Sequence, residues 1–338
     1  MQKVLAKSEK QNDLLKLFWV FALLFFLAIG FASHAAAPAG ADAATAPKPE
    51  SILLSAPNLH GKHFFTILIN SPDPKQAPKN FRIFSSTGLE TFPASVSAVL
   101  SKGQIEFLAA KLNSDSVAGT PGQAKQIHIV DTSSHAHGFV NNMQVVWLDQ
   151  NVKFGTDDHA FVDSEKGLLA GLKKEKKVTL FTLPESVDDI NISGEDVIKM
   201  GGEKIRVQAD AVETEQQYLK TKKIAYTRIP IAVDDISKIE DKQIDQLSNL
   251  VKRAKKDEWL HFHNEGGDRS ASLAVLLADI LKNATNMSLN DILARENDMS
   301  AQVKLSPVGS SPQLEKIYAY AKEQGPDFKK SFSSWNKK

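Results

Sequence analysis

The chain has 338 residues, 42% of them hydrophobic and 24% charged, which is material for one large domain or two modest ones. The formal net charge is +1, and without residues 1–35, which hold four lysines and two acids, it becomes −1. A near-neutral body offers no field for nucleic acid or an anionic membrane surface, and the absence of cysteine excludes disulfides, thiolate metal sites and thiol catalysis.

Residues 1–35 read as an export signal or an N-terminal anchor. Lys3, Lys7, Lys10 and Lys16 precede the apolar run Leu17 to Ala32, and Ser33-His34-Ala35 fits a small-x-small cleavage site before Ala36. The run is shorter than the ~20 residues of a spanning helix, which favours cleavage over retention. Both readings place the body outside the cytoplasm: periplasmic or secreted if cleaved, membrane-anchored only through an uncleaved N-terminus. Residues 36–50 are rich in Ala and Pro and read as a flexible linker.

Residues 51–338 read as one globular domain, with an accessory lobe in its N-terminal part. Segments 126–131, 143–148, 177–183, 204–209, 224–229 and 258–263 are β-rich runs of strand length. Ile244, Leu247, Leu250, Val251 and Ala254 mark one helical face; Leu273, Leu276, Leu277, Ile280 and Leu281 mark a second. Ser288 with Asp291 resembles a helix start, and Leu314, Ile317, Tyr318 and Ala321 give a last amphipathic helix. Strands alternating with helices predict an α/β fold with a largely parallel central sheet.

The most informative stretch runs from the strand Trp259-Leu260-His261-Phe262-His263 through Asn264-Glu265-Gly266-Gly267-Asp268-Arg269-Ser270 into an apolar helix. Strand, Gly-rich turn and helix N-terminus together make an anion site, with inward N–H groups and the positive end of the helix dipole. Gly266 and Gly267 free the turn from Cβ clashes. Arg269 can grip two phosphate oxygens, and Ser270 can cap the helix or donate to an oxyanion. Glu265 is expected to point away from a bound phosphate. The bland alternative is a tight turn with a capping serine.

These residues resemble the phytase-like branch of the protein tyrosine phosphatases, the cysteine phytases or inositol polyphosphatases. Three further groups of residues carry the resemblance. Tyr226-Thr227-Arg228-Ile229-Pro230, followed by Gln243 and Asp245, is similar to the family's general-acid segment. Val130-Asp131, His137-Gly138-Phe139 and Val145-Val146-Trp147 are similar to its substrate-loop region. Ser288 to Arg295, Tyr320-Ala321-Lys322 and Phe332 to Trp335 are similar to its C-terminal helices. The resemblance spans roughly residues 80–338. It implies a phosphatase-like central sheet flanked by helices with a smaller lobe. It also implies chemistry by a cysteine nucleophile, an aspartic general acid and a phosphate-gripping arginine.

The chain departs from that pattern where the chemistry would lie. Asn264 occupies the nucleophile position, and an amide is neither anionic nor usefully nucleophilic. Only Glu265, Gly266, Gly267 and Asp268 separate it from Arg269, where the family has five residues. The acid segment is about two residues longer, so that Asp234 matches the general acid best and Asp235 second. Ser133 and His135 replace a family arginine and glutamate. By the resemblance, His263 braces the loop backbone. The expectation is a pseudophosphatase that needs no cofactor and holds a phosphorylated small molecule, a phosphoprotein or an unknown protein partner. The alternative is a weakly active phosphomonoesterase with a non-cysteine mechanism.

Other chemistry is less supported. The pairs His135/His137 and His261/His263 could each share a strand face, but no further ligand spacing singles out a metal site, so none is expected. Asp268 and Glu265 lack the companion acid and metal of an aspartyl phosphatase. There is no Gly-x-Ser-x-Gly elbow and no Walker loop. The basic runs at Lys173, Lys174, Lys176 and Lys177, and at Arg253, Lys255 and Lys256, read as solvated helix ends.

Overall fold

The computed structural model describes residues 51–56, 64–68, 77–84, 93–113, 126–148, 158–183, 204–231, 236–255 and 257–337. The expected leader, the linker, Asp234, Asp235 and Lys256 lie outside these residues.

Two sheets organise the described chain. The first has five strands: β3 (Arg82–Phe84), β4 (Ala94–Ala98), β5 (Gln126–Asp131), β11 (Ala225–Arg228) and β12 (Glu258–Asn264), in the order β11-β5-β12-β4-β3. All its pairings are parallel except the edge pair β3–β4. Strand β12 sits in the middle and is buried from Trp259 to Asn264, as a strand covered on both faces must be.

Alternation along β12 separates two interiors. Leu260 and Phe262 join a core with α4 (Asp241–Arg253), α5 (Arg269–Asn283), α6 (Leu289–Ala301), α7 (Pro312–Gln324) and α8 (Phe332–Trp335). Trp259 faces the other way, into a core with Leu100, Phe139, Tyr218 and residues of α1 (Lys102–Asn113). Helix α5 is buried nearly all round: Ala271, Ala274, Val275 and Ala278 are as hidden as the leucines of its expected face. Ser288 caps α6 as the sequence suggests, its hydroxyl accepting the Asp291 N–H.

The second sheet contains β1 (Ser51–Ala56), β2 (Phe64–Leu68), β6 (His137–Val140), β7 (Met143–Leu148), β8 (Lys177–Leu183), β9 (Lys204–Gln208) and β10 (Val212–Glu213). It is antiparallel apart from a single β2–β8 contact, and α2 (Asp158–Lys174) contributes Leu168, Leu169 and Leu172 to its core. The largely parallel central sheet expected from alternation is the five-stranded one. The predicted strands at 143–148, 177–183 and 204–209 pair in this second sheet, β7 with its neighbour β6 and β8 with β9, and strand pattern alone does not say which sheet a strand joins. Short α3 (Glu215–Thr221) completes the described helices. Lys173 and Lys174 end α2, and Arg253 ends α4, so two of the basic runs lie at helix ends.

A candidate phosphate loop and the ionic cluster beside it

Asn264 ends β12, four residues turn, and Arg269 begins α5. The turn depends on Gly267, whose φ of +67° is left-handed and whose missing Cβ would stand 2.1 Å from the Ala98 nitrogen. The loop's carbonyls are held from outside. Asn264 O accepts the Val99 N–H at 2.7 Å, Gly266 O accepts Asn80 Nδ2 at 2.8 Å, and Gly267 O accepts Arg82 Nη1 at 2.9 Å. Arg82 is buried and also donates to Ser272 Oγ, which in turn donates to Asp268 O. With carbonyls outward, the Gly266 and Gly267 N–H groups hydrogen-bond to none of the described residues. That is the backbone of an anion nest.

The nest is partly filled from within. Asn264 Oδ1 accepts the Asp268 N–H at 3.1 Å, and Asn264 Nδ2 donates to Asp268 Oδ1 at 2.8 Å. Burial raises the Asp268 carboxyl above its ordinary value, with the Asn264 amide offsetting part of the effect and Glu265 adding to it. Asn264, expected at the nucleophile position, is therefore a tethered amide.

Glu265 is directed at His135, where its carboxylate accepts both the backbone N–H and Nδ1 at 2.9 Å. Burial acts to raise Glu265, but His135 outweighs it and holds the carboxyl below its usual range; the imidazole is raised in return. His135 lies ahead of β6 rather than on it, so only His137 of that pair is a strand residue. Arg269 is exposed at the first turn of α5.

Two expectations are corrected. Ser270 does not cap the helix, because Asp268 takes the cap position and Ser270 falls inside the first turn. The His263 ring does not brace the loop backbone: its Nε2 lies 3.3 Å from Glu215 Oε2 and its Nδ1 3.9 Å from Asp131 Oδ1. Bracing comes instead from Asn80, Arg82 and Val99, which lie far from the loop in sequence and carry no local signal of that role.

Behind the loop, an ionic cluster joins the two sheets. His137 Nε2 lies 3.0 Å from Glu215 Oε2 and 3.3 Å from Asp131 Oδ2. Arg228 pairs with Asp131 at 3.1 Å and Glu165 at 2.7 Å, and Tyr226 donates to Asp131 at 2.6 Å. Burial acts to lower His137, but Asp131, Glu215 and Glu165 prevail and hold its imidazolium up to about 10. Burial acts to raise Glu215, and His263 and His137 bring it down to about 2. Asp131, His137 and Glu215 offer ligand atoms within 4.8 Å of one another, a grouping that sequence spacing did not reveal. The imidazolium and guanidinium already neutralise these carboxylates, so the cluster reads as an ion-pair core. His261, bonded to Ser95 Oγ at 2.8 Å and Ser97 Oγ at 3.1 Å, is pushed well below its usual value by burial and is a neutral core residue.

A largely parallel sheet whose central strand enters a Gly-rich turn at a helix N-terminus defines a phosphatase-like α/β fold, here with Asn264 at the end of that strand. Residues 135–282 match the PTP-like phytase family, described as "Inositol hexakisphosphate". The match covers 148 of the 338 residues, under half of the chain, which contains no cysteine. It shares its fold with the PTP-like myo-inositol phosphatase from Mitsuokella multacida in complex with myo-inositol-(1,3,4,5)-tetrakisphosphate (TM-score 0.62, 22% identity, 86% of this chain and 48% of that one). It also shares it with a PTP-like phytase from Bdellovibrio bacteriovorus (TM-score 0.55, 19% identity, 87% and 98%). Effector protein hopD2 of Pseudomonas syringae pv. tomato is 22% identical over 194 residues, 56% of this chain and 39% of its own length. The chain thus spans about half or less of the Mitsuokella and Pseudomonas proteins.

Proposed function

We propose that the chain is a pseudophosphatase that holds a phosphorylated ligand, an inositol phosphate or a phosphoprotein, in the loop 264–270 without hydrolysing it. The observation that carries this reading is the outward-held carbonyls with Gly266 and Gly267 N–H groups that bond to none of the described residues, beside a tethered Asn264. The backbone keeps the means to bind an anion, while the position that would attack phosphorus carries an amide already engaged by Asp268. The inositol phosphate bound to the Mitsuokella relative supports that ligand class. The lysines and apolar run of residues 1–35 support export, with the body outside the cytoplasm.

The test is calorimetry of the purified full chain with inositol hexakisphosphate and with a phosphotyrosine peptide, with released phosphate followed in the same samples. The expected result is binding that is weakened in Arg269→Ala, with no phosphate released. Arg269-dependent release would establish the weakly active phosphomonoesterase instead, and absence of binding to either probe would remove the loop as a ligand site.

A further inference from the structure

A half-open groove of about 360 Å³ lies between the edge strand β11 and the C-terminal end of α4, lined by Thr227, His128, Glu258, Gln246, Asn249 and Arg253 among others. In the parallel register Ala225 and Leu260 flank His128, so Thr227 and Glu258, each two residues from those partners, share its face. The three side chains form a hydrogen-bonded line across adjacent strands. Thr227 Oγ1 is 2.8 Å from His128 Nε2, and His128 Nδ1 is 3.0 Å from Glu258 Oε1. Glu258 Oε2 accepts the Lys255 N–H at 3.0 Å, which fixes the carboxylate.

This order assigns the protons. A carboxylate only accepts, so His128 Nδ1 carries its hydrogen toward Glu258, and whenever the ring holds one proton Nε2 is left to accept from the Thr227 hydroxyl. Hydroxyl, base and orienting acid then stand in the relation that activates an oxygen nucleophile. The His128 and Glu258 side chains keep 15% and 11% of their exposure, so the line borders the groove rather than lying sealed in the core.

We propose that Thr227, His128 and Glu258 form a hydrolytic site, separate from the loop, for short carboxylic esters that carry a negative charge. Thr227 Oγ1 attacks the ester carbonyl carbon while its proton passes to His128 Nε2. That proton then goes to the alkoxide as the carbon–oxygen bond breaks, leaving the acyl group on Thr227. Water attacks the acyl carbon, gives a proton to Nε2, and releases the carboxylic acid as the proton returns to Thr227. Ester plus water thus yields acid plus alcohol, and Glu258 accepts from Nδ1 throughout and stabilises the imidazolium each time it forms. The groove volume is at the small end for ligand pockets, which limits the acyl group to a short chain. The Gln246 and Asn249 carboxamides line it, and exposed Arg253 and Lys255 supply the charge that selects an anionic ester.

The experiment measures hydrolysis of p-nitrophenyl acetate and of the p-nitrophenyl monoester of succinic acid by the full chain, with mass spectrometry of the acylated protein. The expected result is preference for the charged ester and an acyl adduct on Thr227. Activity should fall by roughly 100-fold or more in Thr227→Ala and His128→Gln and be retained in Thr227→Ser. The proposal is overturned by rates no higher than buffer background, by activity that persists in Thr227→Ala, or by an adduct at another residue. Thr227→Ser and the adduct position decide the matter even where an alanine variant fails to fold.

Discussion

Asn264 and Asp268, four residues apart across two glycines, are joined by two hydrogen bonds: Asp268 N–H to Asn264 Oδ1 at 3.1 Å, and Asn264 Nδ2 to Asp268 Oδ1 at 2.8 Å. This clasp takes one loop N–H and sets a carboxyl group at the start of α5, where a phosphate would have to approach.

Ligand binding should therefore depend on Asp268. Burial raises its carboxyl, so as pH falls through that raised value the site loses a negative charge and binds anions more tightly. Asp268→Asn should bind inositol hexakisphosphate roughly tenfold more tightly at pH 7, equivalent to about 1.4 kcal/mol. It should also flatten the part of the pH dependence that wild type shows beyond the ligand's own titration. Calorimetry from pH 5 to 8 on both proteins checks this.

Gly267 should not tolerate a side chain. Its φ is +67°, and a Cβ would meet Ala98 N at 2.1 Å and the Ser97 carbonyl carbon at 2.3 Å, both backbone atoms that cannot swing aside. Gly267→Ala should cost at least ~3 kcal/mol in urea unfolding. Gly309→Ala, where nothing lies within 4 Å, should stay within about 0.5 kcal/mol of wild type.

How far the sequence discloses this arrangement depends on the distance between partners. Strands 126–131 and 143–148 and the apolar face of α5 are visible because their signals are local, in residue type and period. The Asn264–Asp268 spacing was also visible, but read against a family pattern it marked only a lost nucleophile, and its self-bonding needed coordinates. Arg82, which holds Gly267 O, lies 185 residues away and gives no local sign of that role. The ionic cluster draws on Asp131, His137, Glu165, Glu215 and Arg228, on both sheets and two helices, and so escaped a search for ligand spacing.

Glu296 should impose a stability loss as pH rises from about 4.5 to about 8. It is buried with Ser300 as hydrogen-bond partner, and desolvation raises its carboxyl to about 8 despite nearby Arg82. The folded protein then binds that proton more tightly than the unfolded chain. Its contribution is complete below about pH 4.5 and is lost as pH rises through about 8. Glu296→Gln should remove a slope worth about 5 kcal/mol across that window, read as the difference between wild-type and variant unfolding curves.

The His137 cluster should act in a higher window. Its imidazolium is held up to about 10, so its contribution is present below about pH 6.5 and lost as pH rises through about 10. Arg228→Met leaves Asp131 and Glu165 short of a cation and should cost about 3–5 kcal/mol at neutral pH by urea unfolding.

The most direct test of the central claim is a single-turnover assay, with the full chain in excess over inositol hexakisphosphate and released phosphate measured to completion. The account predicts no more phosphate from wild type than from Arg269→Ala, although wild type binds the ligand. Release above that level, abolished by Arg269→Ala, would contradict it and show that the loop still turns over phosphate esters without a cysteine.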